Sequence, residues 1–188
     1  MPEPVPAAPP SPRSTIDQLD EAADAAWGRI FRGHPLADRT FYLASELGDF
    51  SVIWLLIAAA DGIRSDEDAD ASIRVGILLL GESILVNQGI KRLVRRPRPL
   101  TDEPRPHHVR LPRTSSFPSG HASSALAAAG MLSQRRPKAA PIYYALAAIV
   151  ATSRVHVKVH HASDVLAGAV VGIAYAQVTR RLWPTNPG

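Results

Sequence analysis

The chain has 188 residues with 21 Lys and Arg against 17 Asp and Glu, a net charge of +4 and a pI near 9.8, a length that suits one domain with one substantial core. It has no cysteine, which excludes disulfides and thiolate metal sites. The basic balance is not that of a nucleic-acid binder, because zinc spacing, an aromatic-glycine RNA-binding signature and a regular basic helix are all missing.

Mean hydropathy of −0.02 averages very unequal parts. The polar parts are the head at 1–40, an acidic insert at 61–70 that reads as a short loop, and a loop at 91–117, and long apolar runs lie between them. Residues 1–13 hold six of the seventeen prolines and no apolar run, so they read as a disordered tail. Residues 14–40 follow as an amphipathic helix with a linker: Ile16, Leu19, Ala23, Ala26, Trp27, Ile30 and Phe31 recur at helical spacing among charges. Such a helix suits a membrane surface or the cover of a bundle.

Residues 41–183 read as one membrane-embedded domain of about five spanning helices, with a short tail at 184–188. The first span is expected at 41–60, with Glu46 and Asp49 near the interface or facing the interior. A second, over 73–90, contains Glu82, Asn87 and Gln88 and is therefore expected to be central. The third, 119–132, is rich in alanine, glycine and serine, the residues that let membrane helices approach closely. The fourth and fifth occupy 139–155 and 162–182, and Arg180, Arg181 and Trp183 close the fifth at an interfacial position. Segments three and four fall short of the ~20 residues of a full span, so a soluble all-helical core is the competing architecture. No internal repeat is evident.

Three polar clusters fall at one end of this alternating stack: 91–99, 118–121 and 153–164. Ser119 and Gly120 open a helix whose free N–H groups and dipole favour an anion, and glycine permits close backbone approach. Lys91, Arg98 and Arg154 add fixed positive charge and planar forks suited to a phosphoryl group. If the last helix begins near Ala162, His160 and Asp164 lie one turn apart, an imidazole oriented by a carboxylate and ready to attack phosphorus. His121, at the anion-binding helix start, is placed to protonate the departing oxygen. His107, His108, His156 and His161 have no evident chemical role. Arg92, Arg95, Arg96, Arg105, Arg110 and Arg113 read as a solvated or headgroup-facing loop that steers anions, and Glu46 and Glu82 as structural partners of buried polar groups.

Together, Lys91-x6-Arg98-Pro99, Pro118-Ser119-Gly120-His121 and Ser153-Arg154-x5-His160-x3-Asp164 resemble the three-part signature of the type-2 phosphatidic acid phosphatase superfamily, which also holds soluble bacterial acid phosphatases and vanadium haloperoxidases. The resemblance covers residues 41–182. It implies an all-α bundle, cofactor-free and metal-independent hydrolysis of a phosphomonoester or diphosphate, and a phosphohistidine intermediate. Under it His160 is the nucleophile, Asp164 its orienter and His121 the general acid and later the base. Lys91, Arg98, Ser119, Gly120 and Arg154 form the phosphate cradle. The leading expectation is a multi-pass lipid phosphatase of a bacterial inner membrane, whose partners are the bilayer and a lipid phosphate. A polyprenyl-linked phosphate is favoured over phosphatidate or phosphatidylglycerol phosphate. A soluble acid phosphatase or vanadate-dependent haloperoxidase, and a silent membrane scaffold, are the alternatives. If the site and the N-terminus share a side, that side carries fourteen of the 21 Lys and Arg, which by the positive-inside rule is cytoplasmic. Superfamily members often face outward, so the side on which the site opens is left undecided, as is the oligomeric state.

Overall fold

The computed structural model describes residues 14–99, 101, 105–112 and 114–185. The expected disordered tail at 1–13, the last part of the tail at 184–188, and Arg113 lie outside the described residues. All regular structure among the described residues is helical.

Helix α1, Thr15–Phe31, opens on a capping box: the Ser14 hydroxyl accepts from the Asp17 amide at 3.2 Å, and the Asp17 carboxylate accepts from the Ser14 amide at 3.2 Å. Helix α2, Pro35–Gly48, starts six residues before the expected span because Pro35 can occupy a first helical turn without losing a hydrogen bond. A single turn at Asp49–Ser51 then breaks the run, with Phe50 and Ser51 at φ 53° and 61°. Helix α3, Val52–Gly62, continues it. The acidic insert is not the loop expected over 61–70: Ser65 caps α4, Asp66–Ile84, and Asp66, Glu67 and Asp68 fill its first turn, where they complement the helix dipole. Helix α4 widens into a π turn at Leu85–Ile90 and ends in the short α5, Lys91–Leu93. Then come α6, Gly120–Arg135, α7, Ala140–His156, and α8, Ala162–Leu182.

The helix pair α2–α3, then α4, α6, α7 and α8, run alternately up and down. The start of α2, the end of α4, the start of α6, the end of α7 and the start of α8 therefore meet at one end. At the other end Asp61 and Asp68 are clamped by Arg135 and Arg136, with Arg135 Nη2 2.6 Å from Asp68. Helix α1 crosses the first end, anchored by Trp27, whose indole N–H donates to His156 Nδ1 at 3.1 Å.

The centre of the bundle is α6, not the more polar α4, and side-chain size is the reason. Ala122, Ala125, Ala127, Ala128 and Ala129 are all fully buried, so neighbours close on α6 from several sides. Helix α8 comes nearest. A Cβ added to Gly168 would sit 2.3 Å from the Ser119 carbonyl oxygen, and one on Gly172 2.1 Å from that of Ser123. Many large apolar side chains point outward instead: Leu56, Ile73, Leu80, Ile142, Leu166 and Val170 are each more than 60% exposed.

Gly172→Leu is expected to separate α6 from α8 and to cost about 3 kcal/mol or more, read as a large fall in the thermal midpoint. Gly76→Ala, whose new Cβ would meet nothing nearer than 3.7 Å, is expected to be neutral or stabilising by up to about 1 kcal/mol.

Candidate active site

The backbone prepares the site before any side chain enters it. Where α7 ends, the amides of Val159 and His160 both donate to the Arg154 carbonyl, at 3.0 and 3.1 Å. This folds 157–161 back under the helix, with Lys158 at φ 52°. The Ser119 amide donates to the Asp164 carbonyl at 2.9 Å, tying the start of α6 to the first turn of α8. Ser119 is the N-cap of α6, its hydroxyl accepting from the Ala122 amide at 3.4 Å.

The buried His160 has its Nδ1 3.7 Å from Asp164 Oδ2 and its Nε2 3.2 Å from Arg98 Nη1. The Arg98 guanidinium is only a donor, so Nε2 must offer it a lone pair, which places the imidazole proton on Nδ1, facing the carboxylate. At 3.7 Å this is attraction between the carboxylate and the N–H dipole and not yet a hydrogen bond; such contacts tighten when substrate binds. Asp164 is fully buried and well supported. Its Oδ1 accepts from Arg96 Nη1 at 2.8 Å, and its Oδ2 accepts from the Ser116 hydroxyl and, at 2.9 Å, from the His161 amide. Burial, with the Arg154, Arg98 and Lys91 charges nearby, pushes the His160 pKa down to about 3 against the opposing pull of Asp164. His160 is therefore neutral and nucleophilic at neutral pH.

Arg98 is held by carbonyls, donating to Val159 at 2.9 Å and Thr114 at 3.1 Å. Arg154 is buried to 1% exposure and donates to the Ser45 hydroxyl, yet its Nε and Nη2, like Nε of Arg98, have no protein partner. Buried cationic donors without partners mark a place for an anion. Lys91 is buried beside Gly120, where an added Cβ would lie 3.8 Å from its Nζ. Opposite, His121 Nε2 lies 3.1 Å from the Ser45 carbonyl and 3.3 Å from Asp49 Oδ1. Room for its ring comes from Gly48, where a Cβ would come within 2.6 Å of it.

His160, His121, Lys91 and Gly120 line one cavity of about 260 Å³, with Asp49, Glu82 and Asn87 on its walls. It shares Lys91, Asn87 and Thr114 with a neighbouring wider, basic cavity lined by Arg92, Arg95 and Arg98. All eight expected site residues thus gather at one end: His160, His121, Asp164, Lys91, Arg98, Ser119, Gly120 and Arg154.

Several neighbours carried no sequence signal. Arg96 is not a solvated loop residue but a direct partner of Asp164, and Arg105 is likewise committed, to the carbonyls of Val157 and Lys158. Asp49 was expected near the interface or facing inward; it faces His121, whereas Glu46 is exposed. Glu82 has the structural partner expected of it, accepting from Ser123. His156 serves packing, between Trp27 and Asp38 and stacked on Phe41.

A model of the PAP2 superfamily matches residues 73–187. The decaprenylphosphoryl-5-phosphoribose phosphatase of Mycobacterium tuberculosis is 35% identical over 144 residues, covering 73% of this chain and 78% of that protein. The protein of the same name from Mycolicibacterium smegmatis is 36% identical over 125 residues, 66% of this chain and 67% of the relative. Among solved structures, a transmembrane PAP2-type phosphatidylglycerolphosphate phosphatase from Bacillus subtilis superposes with a TM-score of 0.71 at 22% identity, over 90% of this chain and 87% of that one.

The folded-state pKa of His160, about 3, lies below its unfolded value near 6.5. The unfolded chain then binds the extra proton between those values, and stability falls as pH drops from about 6.5 toward 3. Thermal midpoints measured across this window are expected to decline less in His160→Asn than in the parent, the difference reaching on the order of 1–3 kcal/mol.

Proposed function

The chain belongs to the PAP2 superfamily, and from that premise we propose that it is a bilayer-embedded lipid phosphatase that works through a phosphohistidine on His160. The observation that carries the proposal is one cavity lined by a neutral histidine, a second histidine and Lys91, with Arg98 3.2 Å from the first histidine and buried guanidinium nitrogens of Arg98 and Arg154 that have no protein partner. The phosphoryl group of the substrate takes the partnerless donors of Arg154 and Arg98, with Lys91 and the amides opening α6. His160 Nε2 attacks phosphorus as the P–O bond to the alcohol breaks. His121, with Asp49 as counter-ion, gives its proton to the departing oxygen and releases the alcohol. The phosphohistidine keeps its Nδ1 proton against Asp164. Water then attacks phosphorus, His121 takes the water's proton, and the P–N bond breaks to free phosphate. Charge on the equatorial oxygens is met throughout by groups already in place.

The substrate class rests on the relatives. Their decaprenylphosphoryl-5-phosphoribose is a polyprenyl-linked phosphate, and a lipid of that kind fits a basic cavity on an apolar-faced bundle. The membrane assignment rests on the outward apolar side chains and on two helical stretches long and apolar enough to cross a bilayer, Pro35–Gly62 and Ala162–Leu182. Helices α4, α6 and α7 complete five spans in this reading, their shorter apolar lengths matched by bilayer thinning.

Two sets of measurements test it. The protein is expected to stay with membranes through a high-salt or alkaline wash, and release by salt alone would refute the embedding. Purified protein screened over polyprenyl phosphates, phosphatidate and phosphatidylglycerol phosphate is expected to favour the first, to keep its activity in chelator and to lose it to vanadate. In rapid-quench trapping, His160→Ala is expected to form no phosphoenzyme. His121→Ala should lose least with a nitrophenyl leaving group, and Asp164→Asn should lower turnover by roughly 10³–10⁴.

A further inference from the structure

The catalytic end depends on a helix that the family match does not reach. Asp20, at the middle of α1, is only 4% exposed although its helix lies on the surface. Its Oδ1 accepts from the Ser163 amide at 2.8 Å and its Oδ2 from the Ser163 hydroxyl at 2.6 Å and from Arg96 Nη2 at 2.7 Å. The other nitrogen of that guanidinium, Arg96 Nη1, donates to Asp164 Oδ1 at 2.8 Å and to the Ser163 hydroxyl at 2.7 Å. A second α1 carboxylate, Asp17, lies 3.3 Å from Nη2. The backbone of Arg96 is pinned too: its amide donates to the Ser115 hydroxyl and its carbonyl accepts from the Ser116 amide, both at 3.0 Å. Ser116 is the residue whose hydroxyl reaches the other oxygen of Asp164.

We propose that Arg96 and Asp20 are positioning residues for the reaction: α1, through Asp20, holds the Arg96 fork that fixes the plane and the charge of the Asp164 carboxylate, and so the tautomer of His160. Rigid geometry is the reason. Asp164 and His160 are 3.7 Å apart, so nothing between them sets the carboxylate's rotation; Arg96 on Oδ1 and Ser116 with the His161 amide on Oδ2 do. Burial of Asp20 opposes its charge, but the bonds from Ser163 and Arg96 outweigh it and hold its carboxyl below the usual range. Arg96 thus bridges two ionised carboxylates and stays oriented. Other charges near Asp164 are His160, Lys91 and Arg98, and none of them bonds it directly.

The inference rests on His160 being the nucleophile, so His160→Ala is assayed first, with p-nitrophenyl phosphate and the full chain in detergent. Retained activity there overturns the parent reading and this one with it. Given an inactive His160→Ala, Arg96→Gln is expected to lower kcat by about 10- to 100-fold with KM little changed. The acidic limb of the rate profile, a property of the coupled His160–Asp164 pair, should move up by roughly one pH unit because a neighbouring cation is gone. Arg96→Lys should recover part of both effects. Asp20→Asn should lower kcat in the same way but less, and combined with Arg96→Gln should add almost nothing, since it acts through Arg96. Asp24→Asn is the control: it frees Arg32, whose guanidinium docks α1 on the carbonyls of Val155 and His156, but does not touch Asp164, so it should lower the thermal midpoint and leave the limb in place. The inference is overturned if Arg96→Gln changes only stability, or if Asp24→Asn shifts the limb as much. Should Arg96→Gln fail to fold, Arg96→Lys and Asp20→Asn carry the same comparison.

Discussion

The close contact between α6 and α8 is the constraint on which the rest depends. Gly168 and Gly172 leave no room for a Cβ against the carbonyls of Ser119 and Ser123, and that approach puts the first turns of the two helices side by side. One backbone bond, from the Ser119 amide to the Asp164 carbonyl, records the result. The start of α6 and the Asp164 carboxylate are then fixed relative to each other by main chain, which moves less than any side chain could.

Onto this contact the fold adds charge of one sign. Lys91, Arg98 and Arg154 arrive from three different segments at the same end, Lys91 and Arg154 buried and Arg98 half-buried, Arg154 with two nitrogens lacking a protein partner. Burying cations together is unfavourable in the empty protein. It is tolerated because carbonyls of Val159 and Thr114 and the hydroxyl of Ser45 hold the guanidinium groups in place. The same field, with burial, keeps His160 unprotonated, and in the proposed mechanism it also receives the phosphoryl group.

Two of the carboxylates at this end each back a histidine. Asp164 stands behind His160 and Asp49 behind His121, each on an element boundary: the first turn of α8 and the break between α2 and α3. The break at Asp49–Ser51, with Phe50 and Ser51 at positive φ, turns the chain directly after Asp49, which sits at the end of α2 facing His121. Helix α1 contributes a further carboxylate from outside the bundle, through Arg96.

The sequence alone determined the parts of this protein that depend on local pattern. Apolar run lengths, Ser119 as a cap before small residues, and the four-residue spacing of His160 and Asp164 are enough to predict an all-helical bundle with its polar clusters at one end. Short fixed spacings, with the family resemblance they carry, also pick out eight expected site residues, all of which lie at one end of the bundle. What only the tertiary structure decided are contacts between residues distant along the chain. Asp20 and Arg96 are 76 residues apart, and Asp49 and His121 are in separate helices, so neither pairing leaves a trace in spacing or periodicity. Arg96 looks like its neighbours Arg92 and Arg95 in sequence, and differs only because the loop's bonds to Ser115 and Ser116 turn it inward. The acidic stretch 61–70 reads as a loop by composition, yet Ser65 and the helix dipole make it a helix start. The centre of the bundle likewise fell to α6, because how closely helices pack depends on the faces they meet, which no single segment specifies.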